Sequence, residues 1–478
     1  MRRLPFPAAA LGLLLGGCTL IPDYFRPDAP VAASWPSGPA YAAQPVSSTA
    51  AKAADIDWQS FYTDDKLRRL IALSIANNRD LRVAMLNVQK AQAQYRVQRS
   101  NLLPTINADT NGTIQRVGRA TSQTGIATTE HSYTAQASVS SFELDLFGRL
   151  RSLDEQALET YFATEEAQRA AQITLVAEIA TAYLTLESDQ EKLELARDTA
   201  TSQQQSLDLT RRIFAIGTAS ELDVRQAETS VDTARVDIAQ FTTAVAQDVN
   251  ALVLLVGQGV PDDLLPVGGL GTITEMSDVP SGLPSDLLEA RPDIREAERT
   301  LKAANANIGA ARAAFFPKIT LTANAGSTSD ALSTLFKAGT GGWAFAPDII
   351  VPIFDAGANR ANLDAAKVDR SIEVANYEKA VQTAFREVAD ALAERGTIDE
   401  QVAAQQSLVD STAASYRLAQ QRYAKGVSSY LDVLDAQRSL YTAQQDLITI
   451  RFGKLSNLVT LYKVLGGGWK QETQDAQL

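Results

Sequence analysis

The chain has 478 residues, is 45% hydrophobic but only 7% aromatic, and carries a formal net charge of −12. An acidic chain without basic clusters argues against a nucleic-acid partner. With one cysteine there is no internal disulfide, and with one histidine, His131 in a polar stretch, there is little material for zinc or imidazole chemistry, so no metal or other cofactor is expected.

Residues 1–17 place Arg2 and Arg3 before an apolar run ending Leu11-Gly-Leu-Leu-Leu15. This reads as a signal peptide, too short to span a bilayer as a mature helix. Its removal would leave 42 Lys+Arg against 56 Asp+Glu, a net charge of −14. Leu15-Gly16-Gly17-Cys18 resembles the bacterial lipobox, which implies cleavage before Cys18 and acylation of that residue. Thr19 rather than Asp follows, which by analogy points to the outer membrane. Residues 18–54, rich in Pro, Ala and Ser without a period, read as a lipid-anchored extended tether.

Two internal repeats organise the remainder. Asp80 to Ile106 aligns without a gap on Asp293 to Ile319, and in both a proline, Pro104 or Pro317, ends a helix and opens an alternating strand. Phe214 to Thr229 aligns without a gap on Tyr423 to Arg438, at an offset of 209. Each copy of this second motif predicts a helix, a glycine turn at Gly217 or Gly426, and a returning helix capped by Ser220, or by Ser428 or Ser429. After the turns, small and apolar residues recur in alternating steps of three and four, as in Val224, Ala227, Val231, Ala234 and Ile238. Val433, Ala436, Leu440, Ala443 and Leu447 repeat the pattern, which is a coiled-coil seam.

The halves therefore run 55–270 and 285–466, separated by a Gly/Pro-rich linker at 271–284 and followed by a tail at 467–478. In the first half a strand pair is expected at about 104–142 and long helices at about 148–257; in the second, strands at about 317–353 and helices at about 359–465. The fold class is thus mixed α and β, with long antiparallel coiled-coil helices continued by a membrane-type sheet. Four strands cannot close a barrel, and open edges in hydrocarbon are costly, so closure requires several copies; three would supply twelve strands.

Cys18 with Pro22-Asp-Tyr-Phe-Arg-Pro27, Phe142-Glu-Leu-Asp-Leu-Phe-Gly-Arg149, Arg291-Pro-Asp-Ile-Arg295, Ala314-Phe-Phe-Pro317, Pro352-Ile-Phe-Asp355 and Arg422-Tyr-Ala-Lys-Gly426 with Tyr430 to Arg438 span nearly the whole chain. In this combination the chain resembles the TolC-like outer membrane factors, in their lipoprotein branch. The resemblance implies a homotrimeric exit duct of a tripartite efflux pump. Its β-barrel sits in outer-membrane lipid, and its α-barrel reaches into the periplasm. A periplasmic adaptor opens the tip, and cargo comes from an inner-membrane pump, by analogy of the resistance-nodulation-division type.

It also implies a gate at Leu431, Asp435 and Arg438, and adaptor-docking turns at Gly217, Thr218, Gly426, Val427 and Ser428. Asp435 and Arg438 align with Gln226 and Thr229, so only the second copy holds the charged pair. Without the resemblance, Asp435 and Arg438 read as an i,i+3 surface pair. Two other classes compete. An enzyme finds no support, because Gly268-Gly-Leu-Gly271 lacks phosphate-loop spacing. A periplasmic coiled-coil adaptor would lack two matched strand pairs. A type I secretion duct for polypeptides remains the alternative cargo reading.

Overall fold

In the computed structural model, residues 19–41, 53–122, 125–270, 276, 282 and 284–469 are described. Cys18, the expected signal peptide at 1–17, most of the expected linker at 271–284 and the end of the expected tail lie outside them. Among the described residues there are nine α-helices and four strands, the first half running α1 (Trp58–Phe61), α2 (Asp65–Asn77), α3 (Arg79–Ser100), β1 (Ile106–Val117), β2 (Thr128–Glu143), α4 (Arg149–Ala215) and α5 (Glu221–Val256). The second half comprises α6 (Leu287–Ala290), α7 (Pro292–Ala313), β3 (Lys318–Ser329), β4 (Gly341–Ile350), α8 (Ala358–Ala424) and α9 (Tyr430–Val464). The fold is mixed α and β, as expected. The chain divides into two compact units, and α3, α4, α7 and α8 each contribute residues to both.

The first unit (Met1–Asp28, Val88–Thr164, Glu296–Tyr377) contains the sheet. Its four strands are antiparallel in the order β1-β2-β3-β4, so β1 and β4 are edges. Residues directly opposite each other share a face of the sheet. The register puts Ile106, Ala108, Ala137, Val139, Leu321, Ala323, Phe345 and Pro347 on one face, while Asn107, Asp109, Gln136, Ser138, Thr322 and Asn324 occupy the other. One face is apolar and the other is wet.

The register slips once, between Val139 and Phe142 opposite Ala323 and Leu321. Ser141 takes φ 53° there, as an inserted residue in a bulge can. The slip returns Phe142 to the apolar face, whereas uninterrupted alternation would turn it to the wet one.

Where strands meet helices, side chains replace the missing helical bonds. Asp145 accepts from the Leu150 and Arg151 backbone N–H groups at 3.0 and 2.9 Å, satisfying donors in the first turn of α4. The matching corner uses Asp355, which accepts from Gly357 and Asn359 N–H at 2.9 Å each. Arg149 grips Glu143 with two bonds of 2.7 Å, and Phe147 stacks on Phe316 at 4.7 Å. The α4 corner is thereby locked to the end of β2.

The second unit (Ala29–Asn87, Glu165–Arg295, Glu378–Leu478) packs its short helices on the ends of the long ones. Trp58, Phe61, Tyr62 and Tyr462 are essentially inaccessible; Phe61 stacks on Tyr462 at 4.0 Å, and Tyr462 Oη donates to the Ile56 carbonyl at 2.7 Å. Each such aromatic contributes about 1.5–3 kcal/mol by burial. Ser74 Oγ and Asn78 Nδ2 both donate to the Leu255 carbonyl at 2.8 Å, tying α2 to the end of α5.

Arg291 and Glu187 are among the charged residues buried in this unit. Arg291, 8% exposed, pairs with Asp293 at 2.6 Å and Glu387 at 2.8 Å and donates to the Val464 carbonyl at 3.2 Å, joining the start of α7 to α8 and α9. The Arg-Pro-Asp motif is therefore a three-helix tie. Replacing Arg291 by Ala would leave Glu387 without that partner and is expected to cost about 3–5 kcal/mol, with Arg291→Met costing less. Urea unfolding of the two variants checks this.

Glu187 on α4 is buried, and its Oε2 has no hydrogen-bond partner among the described residues. Burial first, then the nearby charges of Asp64 and Glu191, push its carboxyl up to about 8, against an attraction to Lys66. The folded chain thus keeps a proton that the unfolded chain releases near pH 4.5. Stability from this group is full below about pH 4.5 and is lost as pH rises through about 8. Glu187→Gln should stabilise the protein at neutral pH and flatten its stability between pH 5 and 8, measured by melting across that range.

Candidate functional site

The two repeated hairpins lie in the second unit and are built alike. Gly217 adopts φ 78°, its N–H donates to Phe214 O at 2.9 Å, and Thr218 N–H donates to Ile213 O at 3.1 Å. Gly426 adopts φ 72°, with Gly426 N–H on Tyr423 O and Val427 N–H on Arg422 O, both at 2.9 Å. This pair of bonds satisfies the last helical carbonyls and requires a left-handed residue, which glycine supplies without a Cβ penalty. The next helix opens on a reciprocal box. Ser220 Oγ accepts from Asp223 N–H while Asp223 accepts from Ser220 N–H, and Ser429 and Asp432 repeat it. Of the two candidate caps in the second copy, Ser429 takes the role. Ser428 is half-buried, and its Oγ has no partner among the described residues.

The hairpins pack on each other through the seam. Leu207, Val224, Ala227 and Val231 from the first copy and Tyr430, Val433 and Leu434 from the second form one buried cluster, flanked by Tyr416, Ala419 and Tyr423. Tyrosines of the second copy bond to the first. Tyr423 and Tyr430 both reach the Thr210 hydroxyl, and Tyr441 Oη donates to Asp237 Oδ2 at 2.9 Å. Burial, only partly offset by Thr210, pushes the Tyr430 phenol up to about 12, so it stays neutral at physiological pH.

Within each hairpin the two copies differ. In the first, Glu228 receives Arg211 from α4 at 2.8 Å and Arg225 from α5 at 2.9 Å. The equivalent second-copy positions are Gln420, Leu434 and Gln437, so that charged staple is absent there.

The residues singled out for a gate are on α9. Leu431 is 55% exposed, Asp435 and Arg438 are exposed, and no ion pair joins Asp435 to Arg438 among the described residues. The turn residues Gly217, Thr218, Gly426 and Val427 are exposed, with Ile216, Leu222 and Val427 presenting apolar side chains. Sequence reasoning missed Thr210, Asp237 and Tyr441, because partners so far apart in the chain, 204 residues for Asp237 and Tyr441, carry no local signal. Among the described residues no group of His, Cys, Asp and Glu is arranged to hold a metal ion.

Long seamed helices and a sheet with one apolar and one wet face define a membrane-channel subunit rather than an enzyme. The family model described as outer membrane efflux protein matches residues 70–258 and 283–467. The toluene efflux pump outer membrane protein TtgC of Pseudomonas putida is 52% identical over 468 residues, covering 98% of this chain and 96% of the relative. The outer membrane protein OprJ of Pseudomonas aeruginosa is 42% identical, covering 98% of each. The open-state outer membrane channel MtrE of Neisseria gonorrhoeae superposes with a TM-score of 0.86 at 40% identity, covering 96% of this chain and all of that one. The chain belongs to the outer membrane efflux protein family, and it is an outer-membrane efflux channel component.

The cap geometry yields a local test. Removing a serine cap typically costs about 0.5–2 kcal/mol. Ser220→Ala and Ser429→Ala should each speed amide exchange in the first turn of α5 or α9, whereas Ser428→Ala should leave it unchanged, as read by hydrogen–deuterium exchange.

Proposed function

We propose that three copies of this chain close into one duct, the exit of a tripartite efflux pump. The carrying observation is the sheet: four antiparallel strands with an apolar face and two free edges, β1 and β4. Backbone groups on an edge cannot stay unpaired in hydrocarbon, so each β4 pairs with the β1 of the next copy, twelve strands in all. Cys18 adds an acyl anchor to outer-membrane lipid.

At the periplasmic end, Leu431, Asp435 and Arg438 form the gate, and the turns at Gly217, Thr218, Gly426, Val427 and Ser428 dock a periplasmic adaptor. The exposed apolar turn residues favour this, because adaptor contact would cover them. Among the described residues no ion pair holds Asp435 or Arg438, and both are exposed, which suits pairing with groups across the axis. The first hairpin, stapled by Glu228, is the fixed member, and the second moves against it. An inner-membrane pump of the resistance-nodulation-division type supplies cargo. Relatives are named for toluene, solvent and antibiotic efflux, which favours small apolar compounds over secreted polypeptides.

In outer-membrane fractions the chain should migrate as a heat-modifiable trimer, and a monomer would overturn the proposal. Asp435→Ala should raise single-channel conductance and sensitise cells to vancomycin. If both stay at their original values, Asp435 is not part of a gate.

A further inference from the structure

Thr19–Asp28 has no regular secondary structure, yet its polar groups are held along one stripe of α7. Arg312 Nη1 donates to the Leu20 carbonyl at 3.1 Å, and Asn305 Nδ2 donates to the Pro22 carbonyl at 2.8 Å. Tyr24 Oη donates to Glu298 Oε1 at 3.2 Å. Arg26 donates to both Glu298 oxygens, at 3.1 and 2.7 Å. Lys302 completes the group, 3.3 Å from Glu298 and 5.1 Å from the Tyr24 ring centre.

Positions 298, 302, 305, 309 and 312 step by four and three, which is one face of a helix. At Gly309 the strap passes close to the helix backbone. A Cβ there would sit 2.9 Å from Ile21 N, 2.7 Å from Ile21 Cγ1 and 2.5 Å from Ser152 Oγ. A glycine inside a helix costs stability, and here it makes room for the strap.

The lengths also match. Six residues of extended chain from Leu20 to Arg26 reach about 21 Å, and the 14 residues of helix from Glu298 to Arg312 rise about 21 Å. The strap therefore lies straight and antiparallel along α7.

We infer that this face of α7 is a docking site for the chain's own N-terminal strap, and that the Glu298–Arg26 clamp sets how far the acylated residue can stray. The consequence rests on the acyl anchor proposed above. Clamped at Leu20, Cys18 is two residues, at most about 7 Å of chain, from its fixed point. Released as far back as Trp35, which stacks on Phe385, the leash would be 17 residues, about 60 Å. Arg312 precedes the first residue of β3 by only six positions, so the short leash keeps the lipid beside the base of the sheet. The acyl chains supply membrane affinity, while α7 supplies the address.

The test places a nitroxide on the exposed strap position Asp23→Cys in the otherwise complete protein, with palmitate labelling scored in parallel. The spectrum should be immobilised in the acylated chain. It should stay so in a Cys18→Ala chain exported from an ordinary signal peptide. Arg26→Ala, from the strap side, and Glu298→Ala, from the helix side, should each abolish the immobilised component without lowering trimer heat stability, and the double variant should add little. Loss of immobilisation in the Cys18→Ala chain would show that the lipid holds the strap and would overturn the inference. An unchanged spectrum in Arg26→Ala and Glu298→Ala would overturn the clamp. Absent palmitate with an immobilised strap would instead sink the anchor reading, leaving the docking site intact.

Discussion

Hydrocarbon offers a backbone no hydrogen-bond partners, and that single fact orders the sheet-bearing unit of this chain. Four strands satisfy one another in the interior of the sheet and leave β1 and β4 each with a free edge. Such an edge in a soluble protein would be blunted with charge, proline or a covering helix. Here β4 runs Gly341-Gly-Trp-Ala-Phe-Ala-Pro-Asp-Ile-Ile350, exposed along its length and apolar apart from Asp348, with Pro347 and Asp348 together near its end and the rest of the edge left unguarded. The sheet reads as part of a larger closed surface, and the apolar and wet faces follow from which side of that surface each residue takes.

The helical unit solves a different problem. A long helix cannot hold itself together by propensity, and these helices carry many threonines, whose stiff side chains are mediocre helix formers. Several, among them Thr185, Thr201 and Thr229, return their hydroxyls to the carbonyl four residues back. Stability comes instead from the alanine-rich seam and from ties across it. The duplicated hairpins share one turn and one capping box but not the same ties: Glu228 staples the first internally, whereas tyrosines of the second lean on the first. Duplication supplied the scaffold, and substitutions at a few positions made the copies unequal.

Mixed α and β architecture was legible in the sequence because its signals are local. Glycine turns, serine caps and prolines before strands each act within four residues of where they stand. What lay beyond reach had no local signature. The slip at Val139–Phe142 passes through two serines, without the glycine that would mark it. Adjacent serines at 428 and 429 offered two equivalent caps until backbone geometry chose between them. Tyr441 and Asp237, and likewise Arg26 and Glu298, are joined only by the path of the chain, 204 and 272 residues apart. Pro22 to Pro27 has no local role legible in its residues, and only its position against α7 supplies one.

Helices α4 and α8 are both 67 residues long. One inserted residue in either would advance everything beyond it by about 1.5 Å and turn it by about 100°. Seam alanines would then face water, and charged residues would enter the joint between the hairpins. Seven residues would turn it by only about 20°. The helix geometry thus disfavours single-residue changes in either shaft and tolerates whole heptads better. A change of a single residue in length is tolerated more readily in a strand connection than within either shaft, because the seam register of a helix is not at stake there.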